Sequence, residues 1–438
     1  MENSFLQLFR IPDTRKKITT TLLLLLAYRA GFHVPIPGMS AEFMESLGGS
    51  TVFGLMSAFS GGSIGQTVIF GLGIMPYISA SIIFSMLAKV SPTLEAIQKE
   101  GAAGQKKINQ WTRLAVVPIA LLQATLVFTG VFMKNPNMIQ PNMQSHTFVL
   151  ALLVITSLVA GALVVMWIGE LITEHGVGNG ASLIIMAGII ASTPQAMARL
   201  SSQDEFWQIM LTTLGLWFVI IFVVVFIHKG ARRVPIQYAR LTRGRRVYGG
   251  QRHYLPLKVN MAGVMPIIFA SVLFVIPGVL FSWLSTAWTG FARLNAVFSD
   301  TTGFVYVTCY IALLYAFCFF WNRLMFQPDD IANNLREHGS FIPGIRPGAR
   351  TSEYLANVLT RITIAGAAFL AVVAVFPSFV TKNTAIPPDL RYFLGGTSVL
   401  IVVGVALELV DRLNAQLVMR NYDGFLGGGP GWTKKKGA

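Results

Sequence analysis

Gly73-Ile74-Met75-Pro76-Tyr77-Ile78-Ser79-Ala80-Ser81-Ile82 lies inside an apolar run over residues 67–88. Its counterpart returns far downstream as Gly263-Val264-Met265-Pro266-Ile267-Ile268-Phe269-Ala270-Ser271-Val272. Glycine, Met-Pro, isoleucine, alanine and serine recur at the same spacing, in segments long enough to span a membrane. Glycine- and proline-interrupted apolar segments at matching places in two halves of a chain point to an internal repeat, with a pathway or binding site at the repeat interface. A proline inside such a segment removes a backbone donor and frees a carbonyl. Lipid satisfies neither, so the irregular backbone is expected to face protein or a cavity. The plainer alternative is a pair of kinked packing helices.

Composition sets the class. Hydrophobic residues make up 53% of the 438, charged residues 12%, and the mean hydropathy is +0.60, which excludes an ordinary soluble globule. Nine apolar runs approach the length that a bilayer core demands, at 18–34, 67–88, 114–133, 148–168, 209–227, 259–284, 304–321, 362–380 and 392–410. A tenth, 181–197, is diluted by Ser182, Ser192, Thr193, Pro194 and Gln195. Charge decides whether it crosses. Nine basic residues crowd 229–258, and basic loops belong on the cytoplasmic side. With Arg10, Arg15, Lys16 and Lys17 also inside, the tenth run must span. Ten spans with both termini cytoplasmic then place 28 of the 34 lysines and arginines on that side. Arg29, near the outer end of the first span, reads as a snorkelling or loop-paired residue. No small-residue cleavage site follows the polar start, so no removable signal peptide is expected.

Two cytoplasmic loops are long enough to dock a partner. One carries Gly244-Arg245-Arg246-Val247-Tyr248-Gly249-Gly250; the other carries Phe341-Ile342-Pro343-Gly344-Ile345-Arg346-Pro347-Gly348. Proline and glycine around Arg346 predict a stiff turn that projects one guanidinium, which attraction to anionic lipid explains less well than a partner contact. Between the first two spans, Gly48-Gly49 and Gly61-Gly62 bracket Ser50–Ser60, where Val52, Phe53, Met56 and Phe59 have helical spacing. Two placements fit this short helix equally: packed on the outer surface, or folded back into a cavity. The tail over 420–438, with Gly427-Gly428-Gly429 and Lys434-Lys435-Lys436, reads as flexible and basic.

Chemistry-bearing motifs are few. There is no Gly-Lys dipeptide for a phosphate-cradling loop, and no His-Glu-x-x-His. The six histidines are scattered, so no metal or other cofactor is expected. Cys309 and Cys318 fall on opposite faces of one helix and cannot bridge each other. The spans hold almost no acids, with Glu408 near one end and Glu170 just beyond another, which weighs against an ion-coupled solute carrier.

The two Met-Pro segments, Gly178-Asn179-Gly180, Lys258-Val259-Asn260-Met261-Ala262-Gly263-Val264, the Arg346 turn and Gly395-Gly396-Thr397-Ser398 with Leu400-Ile401-Val402-Val403 together resemble the signature segments of the bacterial SecY family of protein-conducting channels. The resemblance covers nearly the whole chain, in order. It implies an all-α polytopic membrane protein of the bacterial plasma membrane, not an enzyme, with ten helices in two inverted halves (1–200 and 201–438) around an hourglass pore. Its implied partners are SecE, SecG, the SecA motor, the ribosome, signal-bearing unfolded polypeptides and membrane lipids.

Residue by residue, the resemblance implies a pore ring of Ile74, Ile78, Ile185, Ile268 and Ile401, with Ala181 where many relatives carry a further isoleucine. It implies a plug over about 52–64, including Val52, Phe53, Met56 and Phe59. A lateral gate would have Ser79 and Ile276 near its seam, and the motor- and ribosome-binding surface would include Arg245, Arg246 and Arg346. The expected activity is passive translocation of unfolded secretory chains, with sideways release of apolar segments into lipid. An inverted-repeat carrier of small solutes and an insertase serving membrane proteins alone are the alternatives.

Overall fold

A computed structural model of the chain describes residues 12–39, 68–133, 138–200, 206–238, 241–243, 246–248, 252–260, 263–287, 289–300, 302–382 and 395–426. Within them each of the ten expected spans falls on one helix: α1 (Pro12–Ala30), α2 (Met75–Val90), α4 (Ala102–Val127), α5 (Thr147–His175) and α6 (Gly180–Leu200), then α7 (Phe206–His228), α8 (Met265–Ala287), α10 (Phe304–Met325), α12 (Ala349–Lys382) and α13 (Gly396–Leu426). Three short helices, α3 (Pro92–Lys99), α9 (Ala292–Ser299) and α11 (Pro328–Glu337), lie in connections. By length and composition α4, α5, α7, α10 and α12 cross a membrane unaided, whereas the apolar stretches of α6 and α8 are shorter, Gly180–Ala191 and Met265–Phe274. Leu211, Phe218, Phe222 and Phe226 of α7 are all largely exposed. A stripe of that size facing outward marks a surface covered by lipid or a partner, and with five helices long and apolar enough to cross a bilayer the chain is a membrane protein.

The repeat is visible in the packing. α2 lies on α4, α4 on α5 and α5 on α6; in the second half α8 lies on α10, α10 on α12 and α12 on α13. α1 rests against α5 and α6 as α7 rests against α12 and α13. An odd number of crossings inverts the second set relative to the first. The main contacts between halves are α6 with α13 and α2 with α8.

The two Met-Pro segments break the backbone at a helix start, not by the expected proline inside a helix that frees a carbonyl. Pro76 and Pro266 sit in the first turns of α2 and α8, where the missing N–H had no helical partner to lose. The irregular backbone lies just before them. Gly73 and Gly263 take φ of 52° and 63°, a left-handed conformation that costs other residues about 1–2 kcal/mol. Turn bonds from Gly71 N–H to the Val68 carbonyl (3.0 Å) and from Gly73 N–H to the Phe70 carbonyl (2.8 Å) satisfy the broken stretch, which is buried as expected. Arg29 lies with its guanidinium 5.4 Å from the centroid of the Phe32 ring.

Close helix approach depends on glycine at defined points. A Cβ on Gly180 of α6 would stand 1.8 Å from the Gly169 carbonyl oxygen of α5, backbone that cannot swing away. Gly180→Ala is therefore expected to cost about 1–3 kcal/mol as an overpacking change, seen as a lower unfolding temperature in detergent. Gly215→Ala, where α7 offers open space, should be neutral or stabilising. Equal stability of the two variants would count against this packing.

The loop end of the bundle carries a sheet that helical reasoning did not anticipate. β1 (Ala231–Tyr238) pairs antiparallel with β4 (Arg252–Lys258), Ala231 opposite Lys258 and Gln237 opposite Arg252. β5 (Ser340–Phe341) adds to the other edge of β1, so the two long loops form one platform. Beyond it β2 (Leu241–Arg243) and β3 (Arg246–Tyr248) make a separate small hairpin. Val234, Leu257 and Ile342 bury the platform against Leu355, Val358 and Ile362 of α12.

Candidate functional site

Four helices from both halves converge near the bundle centre. Ile74 caps α2 and Ile78 lies in its first turn; Ile185 comes from α6, Ile268 from the first turn of α8, and Ile401 from α13. The first turns match across the repeat, with Ile78 N–H donating to the Ile74 carbonyl and Ile268 N–H to that of Val264, both at 3.1 Å. All five isoleucines belong to one continuous apolar cluster, and none is more than 4% exposed. Gly169 of α5 leaves room for Ile74, whose Cδ1 would lie 3.3 Å from a Cβ there.

Above this cluster, on the side of the β platform, a cavity of about 460 Å³ opens. Ile78, Ile185, Ile268 and Ala181 line it. Tyr77, Phe269, Trp321 and Met325 form an aromatic and thioether wall, in which Phe269 and Trp321 meet edge to face at 5.0 Å. Lys258, Glu408, Asp411 and Arg412 line it as well. The isoleucine cluster is thus apolar and uncharged, whereas the cavity above it is lined by both apolar and charged side chains.

α6 is anchored at the cavity by its own start. Asn179 Oδ1 accepts from the N–H groups of Ala181 (3.0 Å) and Ser182 (3.4 Å), and Thr173 Oγ1 accepts from Gly180 N–H (2.9 Å). This capping role lay unread in Gly178-Asn179-Gly180, although asparagine ahead of an apolar run is a helix-start signal.

Ser79 and Ile276 lie on α2 and α8, the helices that meet between the halves. Ser79 is buried and accepts from Gln123 of α4 at 3.5 Å, a contact on its own side of that seam. Arg346 is exposed on the expected stiff turn, with Gly344 and Gly348 at φ of 83° and 101°. Arg246 opens β3. Val52, Phe53, Met56, Phe59 and Arg245 lie outside the described residues. Among the described residues no three His, Cys, Asp or Glu come together as a metal site would require. Cys309 and Cys318, both on α10, are free thiols.

A sequence profile of the SecY family matches residues 68–410. The chain is 41% identical over 443 residues to the protein translocase subunit SecY of Streptomyces scabiei, covering 97% of this chain and 100% of that one. Among solved structures it resembles a protein-conducting channel (TM-score 0.64, 17% identity, 92% and 93% of the two chains covered). It also resembles Sec61 in the canine ribosome-channel complex from the endoplasmic reticulum (TM-score 0.60, 16% identity, 92% and 93% covered). The structural likenesses show the fold, with which the ten helices in two halves are consistent, and the sequence likeness shows descent: the chain belongs to the SecY family.

Proposed function

We propose that this chain is a passive channel for unfolded secretory polypeptides, which also releases apolar segments sideways into the membrane. The observation that carries the reading is the isoleucine cluster, drawn from both halves and closing the floor of the cavity. Large apolar side chains in a ring exclude ions by dewetting and yield to a passing chain. Ile74, Ile78, Ile185, Ile268 and Ile401 form that seal. The cavity is the cytoplasmic funnel, and the seam of α2 and α4 against α8 and α10, with Ser79 and Ile276, is the lateral gate. The halves run over 1–200 and 201–438, and both termini lie in the cytoplasm of a bacterium whose plasma membrane houses the protein.

A ring without a nucleotide site needs an external source of direction. SecA and the ribosome supply it at the two long cytoplasmic loops that carry Arg245, Arg246 and Arg346, and SecE and SecG complete the channel. Sequence likeness to a protein translocase subunit supports this reading over a small-solute carrier. Sealed vesicles holding the purified chain with SecE, SecG and SecA should take up a soluble secreted precursor. Vesicles that insert membrane proteins yet exclude that precursor would reduce the function to insertion alone.

The glycine-bracketed segment over 52–64 acts as the plug of this channel. A disulfide between a cysteine replacing Phe59 and one on a neighbouring outer loop should then raise ion leak across planar bilayers. Complete crosslinking with unchanged leak removes the assignment.

A further inference from the structure

We propose that Glu408 and Asp411 hold the mouth of the funnel at charge balance, so that it retains neither acidic nor basic stretches of a passing chain. This rests on the channel reading above. The chain carries 34 Lys and Arg against 19 Asp and Glu, and the ten-span topology proposed above puts 28 of the basic residues on the side where the cavity opens. Topology alone would make that mouth strongly cationic. Yet the charged side chains lining the cavity, among the described residues, are two of each sign: Lys258 and Arg412, Glu408 and Asp411.

They are paired. Lys258 Nζ lies 3.2 Å from Asp411 Oδ2, and Arg412 Nη2 lies 2.7 Å from Glu408 Oε1. The acids follow Ile401 and Gly404 along one face of α13, since residues 401, 404, 408, 411 and 412 recur at helical spacing. That stripe leads from the seal to the mouth. The paired side chains are roughly 38–56% exposed, and ion pairs so exposed contribute little to stability. Their partners are exchangeable at small cost. A charge on the passing chain meets an opposite charge already compensated elsewhere, and gains little by staying.

Without the carboxylates, Lys258 and Arg412 stand bare in a narrow cavity with low-dielectric walls, which focuses their field on anything acidic. The test compares three precursors that differ only in an acidic, basic or neutral insert, driven by SecA through the SecE- and SecG-containing complex. For Glu408→Gln/Asp411→Asn, the rate with the acidic insert relative to the neutral one should fall several-fold. Lys258→Gln/Arg412→Gln should instead lower the ratio for the basic insert. Ratios that stay at wild-type values in both variants, or fall alike for both inserts, overturn the proposal. A second measurement does not depend on transport. A fluorescent oligoglutamate peptide should bind the detergent-purified acid-free variant, weakening as salt rises, and bind the parent several-fold less. Equal binding to both also overturns the charge balance, whereas a parent complex that transports no precursor at all overturns the channel reading instead.

Discussion

Glycine at both Ile78 and Ile268 is expected to make the resting protein conduct ions while leaving its abundance in the membrane nearly intact. Deleting a buried isoleucine from a closed core leaves a dry void and costs on the order of 2–5 kcal/mol. Both side chains are as buried as core residues, at 4% and 2% exposed. Their surroundings differ from those of a core, because each lines the cavity of about 460 Å³ on one side. Removing them extends a space that already opens outward, so water enters where a sealed void would have formed. The dewetting barrier then falls.

The same change should relax the demand for a strongly apolar signal, since the closed state loses apolar contacts that an incoming segment must otherwise outcompete. Two measurements decide the matter: single-channel conductance of the resting complex, and export of a precursor with a weakened signal. Loss of the protein from the membrane, or an ion-tight variant with unchanged stringency, would make these residues ordinary packing. Ile401→Gly is the comparison. That side chain is fully buried and does not reach the cavity, so its removal should cost more stability for the same loss of volume.

What could be read from the sequence follows how locally each feature is encoded. The paired Met-Pro helices were legible because a left-handed residue demands glycine and a first-turn proline is tolerated, both within a few residues of Gly73 and Gly263. The expectation of a freed carbonyl failed because periodicity does not mark a helix start inside an apolar run. Apolar patterning also cannot separate pore-lining isoleucines from core, since Ile74 and Ile401 are as buried as any packed side chain. Their assignment came from the family resemblance.

The platform was missed for a different reason. β1 buries only Val234 and Ile236 among arginines that already had an explanation in membrane topology. Its second partner, β5, is two residues long and about a hundred residues away. The funnel's charges were hidden likewise: Glu408 was read as a span-end acid, whereas Lys258 meets Asp411 across 153 residues of sequence.

Arg346→Glu should abolish motor-driven transport without unfolding the protein. The turn does not depend on this side chain. Ile345 N–H donates to the Ile342 carbonyl at 3.0 Å, and Thr351 Oγ1 donates to the backbone carbonyl of Arg346 at 2.9 Å. Gly344 and Gly348 supply the left-handed positions, and Ile342 is buried with the platform below. The guanidinium is exposed, beside Arg350, Glu353, Tyr354 and Asn357 around an open groove of about 470 Å³. Its reversal therefore costs the fold little. A contact made to an acidic or phosphate group on a partner loses about 2–5 kcal/mol, a fall of thirtyfold or more. Lysine should restore only part of the rate, because a point charge lacks the planar fork that grips two oxygens. If Arg346 instead faced anionic lipid, lysine would serve as well as arginine and the deficit would track the lipid's charge. Unfolding temperature and resting conductance should stay at parental values in the Glu variant. Full SecA-driven transport by that variant would remove Arg346 from the partner surface.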